Sequence, residues 1–185
     1  MVKKNACVFI SGAGTNLKSL ILSTRAYNFP INIKLIVSNK KHAHGIIYAK
    51  KFKIPYIVID TQNRLFEKKL LNEINKIKIS LICLAGYMKI LSKNFINNYN
   101  GKIINIHPSL LPKYKGTNTF KRVLKNQEIM TGCTVHYVNN KLDSGKIIIK
   151  KKFILSRTEN EKSLKKKTQI LEYRAFSEAI NKIYR

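Results

Sequence analysis

Two side chains able to act on a carbonyl stand two residues apart in Lys102-Ile103-Ile104-Asn105-Ile106-His107-Pro108-Ser109-Leu110-Leu111-Pro112. On an extended chain such residues share a face, so Asn105 and His107 point the same way. An amide and an imidazole on one side of a carbonyl could bind the oxyanion of a tetrahedral intermediate, and the imidazole could also move the proton. A histidine in that role needs an anion to hold its protonated form. Asp143, in Asn139-Asn140-Lys141-Leu142-Asp143-Ser144-Gly145, is a candidate and one of only nine acidic residues. Taken singly, His107 reads better as a hydrogen-bonded core histidine and Asp143 as a turn former. No Gly-x-Ser-x-Gly accompanies them, and Ser109 lies beside His107, so a serine nucleophile is poorly supported. A metal site is too: His42 and His44 form the only close histidine pair, without a Cys or carboxylate cluster, and read as part of a solvated loop.

A second constellation is Ser11-Gly12-Ala13-Gly14-Thr15-Asn16, between a strand-like run and a helical one. It reads either as a phosphate cradle at a helix N-terminus or as a plain tight turn. A dinucleotide site is disfavoured, because Leu17 stands where a third glycine belongs and no acidic residue occurs from Ile31 to Lys41. No Gly-Lys-Ser/Thr follows, so it is not a Walker loop.

The elements that must position these residues follow from apolar periodicity. Strands are expected at 5–10, 31–38, 56–59, 80–84 and 102–105, alternating with helices at 16–24, 44–52 and 63–76. That order predicts an α/β fold with a doubly wound, mostly parallel sheet and helices on both faces. It would place Asn105 and His107 at the C-terminal end of a strand, where open α/β sheets bind ligands. After Pro112 a helix at 119–125, strands at 131–138 and 146–155, and a helix from about 160 predict a mixed or antiparallel C-terminal part. No repeat or linker breaks the chain, so residues 1–185 read as one domain.

The composition, 44% hydrophobic and 24% charged, is that of a globular chain and excludes wholesale disorder. A net charge of +27 points first to nucleic acid, but the lysines are scattered through every segment. A solvated lysine-coated surface is the better reading, with a positive field that attracts anionic small molecules. Three cysteines, Cys7, Cys83 and Cys133, argue against a disulfide framework and read as buried thiols. With no secretory signal and no apolar run of roughly 18 residues, a soluble cytoplasmic protein is expected.

Taken together, Ile10-Ser11-Gly12-Ala13-Gly14-Thr15-Asn16-Leu17, then Leu84-Ala85-Gly86-Tyr87-Met88-Lys89-Ile90-Leu91-Ser92, then Asn105 to Pro112, then Gly132-Cys133-Thr134-Val135-His136-Tyr137-Val138 with Leu142-Asp143-Ser144-Gly145, resemble the glycinamide ribonucleotide formyltransferases. The resemblance spans nearly the whole chain with its motifs in order. It implies formyl transfer from 10-formyltetrahydrofolate to the amine of phosphoribosylglycinamide, in purine biosynthesis, without a metal. It also implies a monomer or homodimer, with no specific nucleic acid or membrane partner. By the same resemblance Asn105, His107 and Asp143 are the catalytic three. Gly14, Thr15 and Asn16 hold the substrate phosphate, Gly86, Ile106 and Pro108 line the glycinamide, and Gln169 and Glu172 recognise the ribose. Met88, Lys89, Ile90 and Leu91 line the pterin slot, with Asn105, Arg64 and the loop at Val138, Asn139 and Asn140. His136 matches a supporting histidine, and the Leu111-Pro112 bond is cis in that family. Asn118 and Phe120 stand where the family often has histidines. Taken alone, Glu172 and Gln169 read as solvent-facing helical residues, and Met88 to Leu91 as core packing.

The Asn-x-His-Pro-Ser-Leu-Leu-Pro stretch is shared with other formyl-tetrahydrofolate enzymes, notably methionyl-tRNA formyltransferase and the deformylases. The first turn sets the ribonucleotide enzyme ahead of them; the second domain expected of the tRNA enzyme and the extra N-terminal domain expected of a deformylase are not read in this sequence. A basic nucleic-acid-binding module remains the alternative outside enzymes, and it predicts steeply salt-dependent binding.

Overall fold

The computed structural model describes residues 2–60 and 65–184. Among the described residues seven strands occur in chain order: β1 (Lys4–Ile10), β2 (Ile31–Ser38), β3 (Tyr56–Val58), β4 (Leu81–Leu84), β5 (Lys102–His107), β6 (Met130–Tyr137) and β7 (Ile147–Ile154). They form one sheet in the order β3-β2-β1-β4-β5-β6-β7. The described helices are α1 (Thr15–Thr24), α2 (Ile46–Lys51), α3 (Phe66–Lys76), α4 (Lys93–Asn98) and α5 (Thr119–Lys125) between strands, and α6 (Glu161–Tyr184) after β7. The mostly parallel α/β sheet expected from the sequence is present.

The chain divides into two compact units, Met1–Ile104 and Asn105–Arg185. In the first, β1 pairs in parallel with both β2 and β4, and β2 with β3. The chain moves outward from β1 to β3, then returns to lay β4 on the other side of β1. That reversal is the switch point at which α/β sheets open a crevice beyond their strand ends. The Gly-rich turn leaves β1 there, and residues 85–91 leave β4 there. The strands are continuous apolar runs because both faces are covered: residues 6–10 of β1 and all of β4 are buried. Leu17, Leu20 and Ile21 of α1 form the expected buried stripe.

In the second unit β6 and β7 are antiparallel, as the C-terminal pattern predicts. α6 packs on both. Its buried residues Leu164, Thr168, Glu172, Ala175, Phe176, Ala179 and Ile180 recur at helical spacing.

Helix α4 stands where the sequence reading places none. It has six residues, three of them Asn, and buries only Phe95, so it carries almost no periodic signal. Its start is set by a cap: the Ser92 hydroxyl accepts the Phe95 N–H at 3.0 Å. Glu67 in turn accepts the Ser92 N–H at 2.9 Å and the Ser92 hydroxyl.

Candidate active site

β5 ends in Asn105-Ile106-His107, and the two-residue period of the strand directs Asn105 and His107 to one side. Asp143 is brought to them by the loop after β6, where it takes a left-handed φ of 45°. One carboxylate oxygen, Oδ2, lies 3.3 Å from His107 Nδ1 and accepts the Gly116 N–H at 2.8 Å. The other, Oδ1, accepts from Asn105 Nδ2 at 3.4 Å. His107 and Asp143 are both buried. The three residues singled out for chemistry therefore converge within the second unit.

The protons can be placed from the partners. The His107 Nε2 lies 2.8 Å from the Tyr114 carbonyl, which only accepts, so Nε2 carries a proton. Its Nδ1 faces a carboxylate, which favours a second proton and the imidazolium. His136 presents Nδ1 to the Tyr137 carbonyl at 2.8 Å, and its Nε2 lies 3.3 Å from Asn105 Nδ2 and 3.6 Å from Asp143 Oδ1. Burial pushes His107 below its ordinary pKa, while the Asp143 charge and the Tyr114 carbonyl act in the opposite sense. Burial pushes Asp143 upward, but hydrogen bonds from His136 and the Gly116 N–H, with the charge of His107, hold it below the usual carboxylate value. Both contacts of the Asn105 amide are longer than the usual 2.7–3.2 Å range, so an N–H can be redirected to an oxyanion at small loss.

The turn after β5 is braced from β6. The Thr134 hydroxyl donates to the Ser109 carbonyl at 2.7 Å and accepts the Leu111 N–H at 3.1 Å. The Ser109 hydroxyl donates to the Lys113 carbonyl at 2.6 Å, and Leu111-Pro112 is cis. Ile106 is buried and Pro108 half-buried beside the catalytic candidates. On α6, Glu172 is only 8% exposed, so the reading of it as a solvent-facing charge is corrected. It lies one turn beyond the buried Thr168, on the helix face that packs inward. Gln169 is half-buried. Val138 is half-buried, and Asn139 and Asn140 are exposed in the loop that leads to Asp143.

In the first unit, Gly14 adopts a left-handed φ of 70° at the start of α1, with Thr15 half-buried and Asn16 buried behind it. Gly45 presses against this turn: its N–H donates to the Gly12 carbonyl at 2.9 Å, and a Cβ on it would lie 2.9 Å from the Gly14 Cα. After β4, Gly86 takes a φ of 74°. Met88 and Ile90 are 65% and 70% exposed, and Lys89 is exposed too. Core packing therefore describes only Leu91, which is buried, while Met88 and Ile90 leave apolar surface exposed. Ser11 joins this segment to the Gly-rich turn: its hydroxyl accepts the Met88 N–H at 2.8 Å and donates to Asn39 Oδ1 at 2.6 Å. Arg64 lies outside the described residues. His42 and His44 are exposed, and among the described residues no cluster of three metal-ligating side chains occurs. All three cysteines are buried and free.

Sequence reasoning missed the groups that hold the site, namely the Tyr114 carbonyl, the Gly116 N–H, and the hydroxyls of Ser11 and Thr134. The first two are backbone atoms and leave no side-chain signature. The hydroxyls could be suspected only because Ser11 closes an apolar run and Thr134 sits inside one.

Comparison with known proteins agrees with this architecture. The formyl transferase family profile matches residues 4–180. The phosphoribosylglycinamide formyltransferase of Haemophilus influenzae is 36% identical over 177 residues, 94% of this chain and 84% of that protein. The trifunctional purine biosynthetic protein adenosine-3 of Chironomus tentans is 39% identical over 184 residues, 96% of this chain. The chain spans only 13% of that relative and 18% of the human counterpart. The crystal structure of phosphoribosylglycinamide formyltransferase from Brucella melitensis superposes with a TM-score of 0.93 at 34% identity, covering 98% of this chain and 95% of that one. With its sheet order, its Asn-x-His strand end and a profile match over nearly all its length, the chain belongs to the formyl transferase family.

Proposed function

We propose that this chain transfers the formyl group of 10-formyltetrahydrofolate to the amine of phosphoribosylglycinamide, as one formyltransferase domain of a cytoplasmic monomer or homodimer. As the amine attacks the formyl carbon, negative charge grows on the formyl oxygen. Asn105 and protonated His107 stabilise that charge, and Asp143 stabilises the imidazolium. A proton then passes from the attacking amine to the departing folate nitrogen. Gly14, Thr15 and Asn16 take the substrate phosphate on the first turn of α1. Gln169 and Glu172 bind the ribose, and Gly86, Ile106 and Pro108 flank the glycinamide. Met88 to Leu91 and Val138 to Asn140, with Asn105, take the pterin; Arg64 is a further folate contact.

The observation that supports this reading is the 3.3 Å approach of His107 Nδ1 to the Asp143 carboxylate, with the Asn105 amide on the same carboxylate. Purified protein is expected to formylate the ribonucleotide amine, and to be stabilised thermally by the ribonucleotide but not by bulk tRNA. Asn105→Ala and His107→Ala should each lower kcat by about 100- to 1000-fold, the usual cost of removing one oxyanion donor. Near-normal turnover in either variant removes that residue from the mechanism.

A further inference from the structure

His107 Nε2–H is received by a backbone carbonyl, that of Tyr114, in the loop between β5 and α5. That carbonyl needs a fixed position, yet Tyr114 has a φ of 58°, a left-handed conformation a bulky residue rarely adopts. Something outside the loop has to hold it. The Tyr114 hydroxyl donates to Glu128 Oε1 at 2.6 Å and accepts from Asn126 Nδ2 at 2.9 Å. The Arg122 guanidinium lies over the Tyr114 ring, 5.3 Å from its centroid, and donates to the Lys115 carbonyl at 2.6 Å. Lys113 Nζ also reaches Glu128, at 2.8 Å, on the exposed side. Two residues further along the same loop, the Gly116 N–H holds Asp143.

We propose that Glu128 is a positioning residue: through the Tyr114 hydroxyl it fixes the loop whose backbone orients both His107 and Asp143. Glu128 touches neither residue and lies in the segment between α5 and β6. It tethers the ring of Tyr114, the ring tether fixes the peptide, and the peptide sets the tautomer and orientation of the imidazole. The inference rests on the catalytic role given above to His107. The other groups facing His107 are Asp143 from the loop after β6, His136 from β6 and Arg122 from α5. None of them is altered by the variants below.

The test measures the His107 imidazole directly, by long-range 15N–1H correlation spectra across pH, in the wild type and in Tyr114→Phe, Glu128→Ala, Glu128→Gln and Lys113→Met. A carbonyl acceptor favours the protonated ring, so loosening it should lower the apparent pKa of His107 in Tyr114→Phe and Glu128→Ala. In both, kcat should fall about tenfold while KM for the ribonucleotide holds. Glu128→Gln keeps an oxygen acceptor and should stay near the wild type, as should Lys113→Met, which removes only the outer ion pair. Combining Tyr114→Phe with Glu128→Ala should cost no more than Tyr114→Phe alone, because that variant already cuts the link to Glu128. Thermal melts confirm that each variant is folded. A His107 titration unchanged in both Tyr114→Phe and Glu128→Ala overturns the proposal. So does a Glu128→Gln variant that matches Glu128→Ala while Tyr114→Phe is silent, since that would be an effect of charge alone. Should His107→Ala retain turnover, the catalytic reading fails, and the titration still decides whether Glu128 sets the ring.

Discussion

Burial drives the His107 imidazole toward its neutral form, while the Asp143 carboxylate and the Tyr114 carbonyl favour the cation. Asp143 is the strongest of the groups that oppose this burial. Asp143→Asn removes the charge that favours imidazolium, so the pKa of His107 falls further. The limb of the kcat–pH profile that reports His107 should therefore move to lower pH, with a reduced maximum. A profile with that limb unmoved would show the two groups to be uncoupled. The Tyr87 hydroxyl poses a separate question, because it is buried without a hydrogen-bond partner among the described residues. Burial and the Glu67 charge both raise its pKa, so it remains neutral. Its ring packs edge-on against Phe9 at 5.2 Å, a contact that phenylalanine would keep. Tyr87→Phe should leave stability equal or higher by up to about 1 kcal/mol, read from urea denaturation midpoints.

Among the elements, the first turn of α1 depends on a neighbour. Gly45 has an ordinary helical φ of −61°, so it is needed for space and not for backbone freedom. An added Cβ would lie 2.8 Å from Ile10 Cδ1 and 2.9 Å from the Gly14 Cα. Gly45→Ala should therefore displace the turn at Gly14. If that turn holds the phosphate, KM for the ribonucleotide should rise about tenfold, with kcat little changed, in steady-state assays. An unaltered KM with an intact fold would count against the phosphate assignment. The loop between β5 and α5 is held by polar tethers to β6 and to the segment before it, and those to Glu128 and Asn126 hold left-handed Tyr114. Asn118 begins α5 at a φ of 55°, a conformation asparagine tolerates well.

For the molecule as a whole, the dominant number is the net charge of +27. Dispersed lysines raise the potential for any anion approaching the protein, and salt screens it over roughly 8 Å at physiological ionic strength. Since the proposed substrates carry phosphate and carboxylate groups, kcat/KM should fall as salt rises from about 20 to about 300 mM, with kcat nearly constant. A kcat/KM independent of salt would leave the charge without a role in capture. No described helix is long and apolar enough to cross a membrane.

Strand and helix identity was legible in the sequence because burial imposes a period: continuous apolar runs in β1 and β4, and an apolar stripe in α1. So was the pairing of Asn105 with His107, since the two-residue repeat of a strand is local. Helix α4 was illegible because one buried residue makes no pattern, and its start depends on Ser92 and a distant Glu67. Only the tertiary structure decided that Asp143 meets both Asn105 and His107, that Glu172 is buried, and that Met88 and Ile90 are not. The reason is that sequence patterns report forces acting over one turn of helix or one repeat of strand. A carboxylate 36 positions from its histidine is placed instead by register, loop tethers and backbone donors, whose amides are chemically alike at every residue.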